Sequence, residues 1–228
     1  MPRLKAIFFD LGGTLLHLSY PFFQREFERL NLALDEERFF VAVSMANAAI
    51  SELMSRQSGT TDATRLPLLF NRLLESLHFP FDRERFVQEV ILKEHRRANL
   101  WRYCLPNTDK LLASLREHYR LAVISNADGR AEALIAEAGL LPFFEFVVDS
   151  AIVGVEKPDP KIFEIAARKM GVSPEESLYV GDVYAIDVVG ACSAKMHSAL
   201  LDKSGFYSDK TPTISSLFDL PEFLGKIT

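Results

Sequence analysis

Four short stretches of this chain carry residues whose types and spacing could do chemistry. Asp10 is followed by Leu11-Gly12-Gly13-Thr14, and Ser125-Asn126 close an apolar run, LAVI. Lys157 sits in Gly154-Val155-Glu156-Lys157-Pro158-Asp159-Pro160, and Asp182 and Asp187 follow the run LYVG. The set offers three carboxylates, a hydroxyl, an ammonium and glycine-rich backbone rich in N–H groups. Carboxylate oxygens suit a hard divalent cation, while an ammonium and N–H donors suit an anion. The chemistry implied is that of a phosphate or similar anion held beside such a cation.

Those residues need elements to bring them together. Residues 4–9 (LKAIFF) form a β-favouring run that stops at Asp10. Between about 21 and 97 the texture is helical, in segments 21–33, 36–56, 63–78 and 82–97, with breaks near Ser58-Gly59-Thr60 and Phe79-Pro80. In the second segment Phe39, Phe40, Val43, Ala46, Ala49, Ile50 and Leu53 recur at spacings of three and four, one face of a helix. Beyond Pro106 the pattern alternates: helix 107–119, strand 121–125, helix 129–138, strand 144–148, helix 160–170, strand 177–181, helix 184–195, strand 197–201 and a closing helix over 213–227. Alternation of this kind predicts an α/β fold with a parallel sheet covered on both faces, a Rossmann-like core. The core is expected at 1–16 and 98–228, interrupted by an all-α cap at 17–97. Parallel sheets take ligands at the carboxyl ends of their strands, where the polar residues stand.

Composition narrows the function classes. The chain has 228 residues, 48% of them hydrophobic, enough for a sizeable core. Its net charge of −5 argues against nucleic acid as partner. No apolar run is long enough to span a membrane, and the start of the chain lacks a secretory pattern. Two isolated cysteines, Cys104 and Cys192, form no CxxC pair, so neither a disulfide framework nor a zinc site is expected, and a cytoplasmic location is. Monomer and homodimer are both compatible with the sequence.

The order of the four motifs, FFDLGGTLL, VISNADG, GVEKPDPKIF and YVGDVYAIDVVGA, resembles the haloacid dehalogenase-like hydrolase superfamily, in the subfamily with a helical cap after the first strand. The resemblance spans essentially the whole chain. It implies a magnesium-dependent phosphatase acting on a phosphorylated small molecule. Asp10 would be the nucleophile that forms an aspartyl-phosphate. Ser125 would bind a phosphoryl oxygen, with Asn126, Gly13 and Thr14 as further contacts. Lys157 would pair with Asp10 and the transferring group. Magnesium would be held by Asp10, Asp182, Asp187 and the backbone carbonyl of Gly12.

One position departs from the pattern. The family's phosphatases carry a second aspartate two residues after the nucleophile, where this chain has Gly12. That carboxyl serves as general acid and base, worth roughly 10²–10⁴-fold. Its absence favours leaving groups that need little protonation, such as acyl or aryl phosphates, unless another group such as His17 substitutes. Two alternatives remain: a 2-haloacid dehalogenase, with Arg38 near the place of its halide- or carboxylate-binding arginine, and a non-catalytic module that binds a phosphorylated ligand. A phosphonate-cleaving relative is excluded, because it needs a cap lysine and none occurs between Ala6 and Leu92. Phe22, Phe23, Phe27, Phe39 and Phe40 are expected to pack the cap. His95, with Lys93, Arg96 and Arg97, reads as a solvated helix end, and both cysteines as buried small hydrophobes.

Overall fold

A computed structural model describes residues 3–56 and 62–227. Its strands are β1 (Ala6–Phe9), β2 (His17–Leu18), β3 (Trp101–Tyr103), β4 (Arg120–Ser125), β5 (Val147–Asp149), β6 (Ser177–Gly181), β7 (His197–Leu201) and β8 (Thr213–Ile214). Six of them form one sheet in the order β5-β4-β1-β6-β7-β8, and every pairing in it is parallel. The α/β, Rossmann-like core read from the sequence is therefore present. β1 is central, with Phe8 opposite Ala122 of β4 on one side and Tyr179 of β6 on the other. The chain leaves β1 towards β4 and β5, then returns to build β6, β7 and β8 on the opposite side. The sheet's topological switch point thus lies at the carboxyl end of β1, where Asp10 stands.

Alternation along β1 explains its burial. Ile7 and Phe9 face one apolar layer with Leu111, Leu112, Val123 and Val180, while Ala6 and Phe8 face another with Ile124, Phe163 and Tyr179. All four β1 residues are inaccessible to solvent, as a strand covered on both faces requires.

The cap contains α1 (Tyr20–Arg29), α2 (Glu36–Arg56), α3 (Asp62–Ser76), α4 (Arg83–Phe86), a π-helical turn at Val87–Ile91, and α5 (Leu92–Arg97). Its own core gathers Phe22, Phe23, Phe27, Phe39, Phe70 and Leu73, as expected for most of these aromatics. Phe40 is only partly buried and stacks on Tyr103, with ring centroids 6.2 Å apart. The break expected near Ser58-Gly59-Thr60 lies outside the described residues. His17 and Leu18, which open the expected all-α cap ahead of its first helical segment, form a short strand. They pair antiparallel with Tyr103 and Trp101, so a two-stranded ribbon joins the cap to the core. A backbone already paired in β2 has no hydrogen bonds free for a helix.

The core helices are α6 (Thr108–Arg116), α7 (Ala131–Glu137), α8 (Ser150–Val153), α9 (Pro160–Met170), α10 (Val189–Ser193) and α11 (Leu220–Ile227). The ends of α9 show local sequence at work. Asp159 caps it by accepting from the Lys161 N–H at 2.9 Å, Pro160 opens it, and Gly171 closes it at φ 70°. Two details depart from expectation. The segment read as one closing helix begins with β8, an edge strand parallel to β7, before α11. Cys192 is exposed rather than buried, and Cys104 is half-buried.

Candidate active site

The site is assembled at the carboxyl edge of the sheet. Asp10 is fixed there by its N–H, which donates to the Val180 carbonyl at 2.8 Å. Its Oδ1 accepts from Lys157 Nζ at 2.6 Å. The same ammonium donates to Asp187 Oδ1 and to the Tyr179 hydroxyl, each at 2.7 Å. All three ammonium donors are therefore engaged. Lys157 is 2% exposed, so these contacts lie out of water, where they are strong and where removing one partner is costly.

The loop that carries Lys157 is held by Asn126. Its Oδ1 accepts from the Lys157 N–H at 2.7 Å and its Nδ2 donates to the Lys157 carbonyl at 2.9 Å. Asn126 thus spends its side chain on positioning Lys157. Ser125 ends β4 in register with Asp149 of β5. The buried Asp149 carboxylate accepts from the N–H groups of Gly129, Ala131 and Ala151 at 3.0–3.2 Å, which fixes the loop after Ser125.

Asp187 is turned inward by its own neighbours. Its Oδ2 accepts from the N–H of Asp182 at 3.1 Å and of Val183 at 2.9 Å. Asp182 Oδ2 accepts from Asn47 Nδ2 of α2 at 2.6 Å, the one polar bond that ties the cap to this carboxylate among the described residues. Asp182 Oδ1 is buried with no partner. Gly13, at φ +90°, permits this approach, because a Cβ on it would overlap the Asp182 carboxylate.

The electrostatics ask for a cation. Asp10, Asp182 and Asp187 offer oxygens within 4.8 Å of one another, and one ammonium faces these three carboxylates. Burial pushes the Asp10 carboxyl up to about 6, with Lys157 pulling it down and Asp187 pushing it further up. Burial, then the charges of Asp10 and Asp187, drive Asp182 well above the carboxylate range. Burial alone would lower the Lys157 pKa, but its two carboxylate partners overcome that and raise it. A surplus of buried negative charge, an orphaned carboxylate oxygen and an all-oxygen donor set fit a hard divalent cation.

Asp10, Gly12, Ser125, Asn126, Lys157, Asp182 and Asp187 all line one cavity of about 420 Å³, within the usual range for small-molecule sites. The cap lines it with Ile50, Arg65, Leu66, Leu69 and His95, and Trp101 of β3 joins them. Gly13 instead borders a second cavity of about 520 Å³ on the far side of Asn47 and Asp182, and Thr14 lines neither. His17 also faces this second cavity, where burial and then Lys203 depress its pKa to about 4. It therefore does not stand over Asp10. Arg38 donates to the Leu77 carbonyl at 3.4 Å and lines neither cavity.

Comparison with known proteins gives the family. The family model for haloacid dehalogenase-like hydrolases matches residues 4–194. The chain belongs to the haloacid dehalogenase-like hydrolase family. It is 32% identical over 202 residues to a glyceraldehyde 3-phosphate phosphatase of Methanothermobacter thermautotrophicus, covering 87% of this chain and 86% of that one. It is 31% identical over 215 residues to a phosphoserine phosphatase of Thermus thermophilus, covering 89% and 83%. Among solved structures, a HAD phosphatase from Thermococcus onnurineus superposes with a TM-score of 0.60 at 25% identity, over 97% of this chain and 98% of that one. A magnesium-bound putative HAD-hydrolase from Bacillus subtilis shares the fold, with a TM-score of 0.65 at 20% identity over 98% and 99%. As a family member the chain is a hydrolase. Among the described residues, no helix is long and apolar enough to cross a membrane.

Proposed function

We propose that this haloacid dehalogenase-like hydrolase is a magnesium-dependent phosphatase that acts on a phosphorylated small molecule through an aspartyl-phosphate at Asp10. The observation that carries the reading is the Lys157 ammonium, bound at once to Asp10 and Asp187 in a cavity that Ser125 also lines. The names of the relatives, phosphatases at about 30% identity, support the same class.

The residues have separable tasks. Asp10 Oδ1 is held by Lys157, which leaves its other oxygen to attack phosphorus and form the acyl phosphate. Lys157 offsets negative charge that grows on the transferring group, and the Ser125 hydroxyl orients it. Magnesium would be held by Asp10, the Gly12 carbonyl and Asp182, with Asp187 bracing Lys157 and the Asp182 backbone beside them. When bound, the ion supplies charge neutralisation for the phosphoryl oxygens. The cap wall excludes water and shapes the pocket for the rest of the substrate.

The test is hydrolysis of acetyl phosphate and p-nitrophenyl phosphate with and without magnesium. Turnover is expected only with the metal, and Asp10→Asn is expected to abolish it while the protein stays folded. A protein that binds inorganic phosphate yet turns over neither compound under any metal condition is a phospho-ligand-binding module instead.

A further inference from the structure

A side chain at residue 12 would press on Trp101. A Cβ built on Gly12 would lie 3.1 Å from Trp101 Cδ1, 3.4 Å from Cγ and 3.5 Å from Nε1. The pyrrole edge of the indole therefore sits against the position from which a side chain at residue 12 would reach the leaving group. Trp101 is held firmly. β3 pairs it with Leu18, its N–H donates to Asn99 Oδ1 at 2.9 Å, and its ring packs on Phe70 and His95 at centroid distances of 6.0 and 5.4 Å. Gly12 and Trp101 are complementary in shape, one absent side chain matched by one large one.

Among the described residues of the cap wall, no group is suited to take over the proton. An indole N–H does not ionise near neutrality, and a guanidinium such as Arg65 keeps its proton. On the cap wall that leaves His95. Its Nδ1 accepts from the Leu100 N–H at 3.3 Å, which places the proton of the neutral ring on Nε2. An imidazolium would present N–H to N–H there. Burial, then the positive charge of Arg130, lower its pKa, with Arg96 adding to this and Asp128 opposing. Asp128 is itself ion-paired with Arg130 at 2.7 Å. His95 is thus a neutral hydrogen-bond donor on the wall of the catalytic cavity, able to hold a substrate oxygen but poorly suited to protonate one.

We propose that Trp101, packed so close to Gly12 that it opposes an acid at that position, is a positioning residue that keeps the enzyme to phosphate compounds whose leaving groups depart as stable anions: acyl, enol and aryl phosphates rather than alkyl esters. The inference rests on the phosphatase reading above. In the first step an Asp10 oxygen forms a bond to phosphorus as the bond to the leaving oxygen breaks. The leaving group takes that electron pair, so a carboxylate or phenolate departs unprotonated whereas an alkoxide would need a proton. In the second step water adds to phosphorus, the phosphorus–oxygen bond to Asp10 breaks with its electron pair restoring the carboxylate, and both protons of the water leave with the released phosphate.

The experiment compares kcat/KM of the magnesium-loaded protein for acetyl phosphate, p-nitrophenyl phosphate and a simple alkyl phosphate, in wild type, Gly12→Asp, and Gly12→Asp combined with Trp101→Leu. Wild type is expected to favour the first two over the alkyl ester by about 10²-fold or more, the scale of a general acid. The double variant is expected to narrow that gap by raising alkyl turnover, while Gly12→Asp alone does not. Because Trp101 is the chain's one tryptophan, its fluorescence gives a readout independent of turnover. Gly12→Asp should shift its emission to the red as the indole is displaced, and inorganic phosphate with magnesium should perturb it in wild type. Equal wild-type rates on alkyl and acetyl phosphates overturn the inference while leaving the phosphatase reading intact. So does a single Gly12→Asp variant that gains alkyl turnover with unchanged emission. Absence of Asp10-dependent turnover of acetyl phosphate removes the phosphatase reading, and the inference with it.

Discussion

Two cavities lie back to back in this molecule, with Asn47 and Asp182 bordering both and the 2.6 Å bond between them as the partition. On one side lie Asp10, Ser125 and the Lys157 ammonium, with Arg65 and Arg130 on the walls. On the other lie Asp35, Glu36 and Glu37, with His17 and Lys203. The cavities are similar in size but opposed in character. The first sets Lys157, Arg65 and Arg130 among the carboxylates of Asp10, Asp128, Asp182 and Asp187, a mixed lining that suits a cation and an anion together; the second sets Lys203 against a rim of carboxylates. Size alone favours the second, whereas the mixed charge of the first is what the proposed pairing of a metal ion with a phosphate requires. The difference teaches that the sheet edge fixes the chemistry while the cap, through α2, decides which side of Asp182 is open to substrate.

The comparison breaks most severely at Lys157. Lys157→Met leaves Asp10 and Asp187 buried and facing one another without their ammonium. A loss of about 3–5 kcal/mol of stability is expected, the usual cost of removing one member of a buried ionic cluster. Denaturant unfolding without metal measures it, and saturating magnesium is expected to return part of the loss. A shift under 1 kcal/mol would mean that the two carboxylates are already solvated or protonated, and that the first cavity owes nothing to its ammonium.

The second cavity is probed through His17. Its pKa is depressed from 6.5 to about 4 in the fold, so the unfolded chain binds the proton more tightly. The corresponding stability is present above about pH 6.5 and is lost as pH falls towards 4, by at most about 3 kcal/mol. Replacement by Phe removes this term while keeping a ring to pack against Phe40, whose centroid lies 5.5 Å from that of His17. Melting temperatures measured from pH 7 to pH 4 should therefore fall less steeply in His17→Phe than in wild type. Parallel curves would show that the imidazole is hydrated in the folded protein.

Much of the candidate site is legible because three of its side chains stand at the ends of apolar β-runs, Lys157 being supplied by a loop. Asp10 follows AIFF, Ser125 ends LAVIS and Asp182 follows SLYVG, and a polar residue at such a place has no packing role to explain it. What stayed hidden were contributions made across sequence distance. Tyr179 sits inside β6 and reads as a core aromatic, yet its hydroxyl meets Lys157 at 2.7 Å. His95 ends a charged helix and reads as solvated, but that helix turns its histidine towards the catalytic cavity. Nothing near Gly12 announces Trp101, since the fit of one to the other exists only after the β2–β3 ribbon forms. Asn47 lies on α2 among residues that keep the cap's helical spacing, and only the approach of cap to core gives its amide a carboxylate to hold. The π-helical turns at Val87–Ile91 and Tyr184–Val188 were likewise invisible, because one extra residue in a turn leaves the apolar spacing nearly unchanged.

The smallest expected effect sharpens the partition itself. In Asn47→Ala the amide that donates to Asp182 Oδ2 is lost, and Asp182 Oδ1 already lacks a partner. Leaving the carboxylate without a donor costs about 1–3 kcal/mol without metal, less whatever hydration the opened partition allows. Magnesium would meet a carboxylate no longer shared with the cap, so the ion should return more stability to the variant than to wild type. Thermal melts with and without saturating magnesium compare the two: a larger metal-induced rise in Tm is expected for Asn47→Ala. Equal rises would mean that Asn47 only spaces the cap from the sheet and that the two cavities are separated by packing. A larger rise would instead make the Asn47–Asp182 bond a contact that the metal and the cap compete to hold, linking occupancy of the cation site to the position of α2.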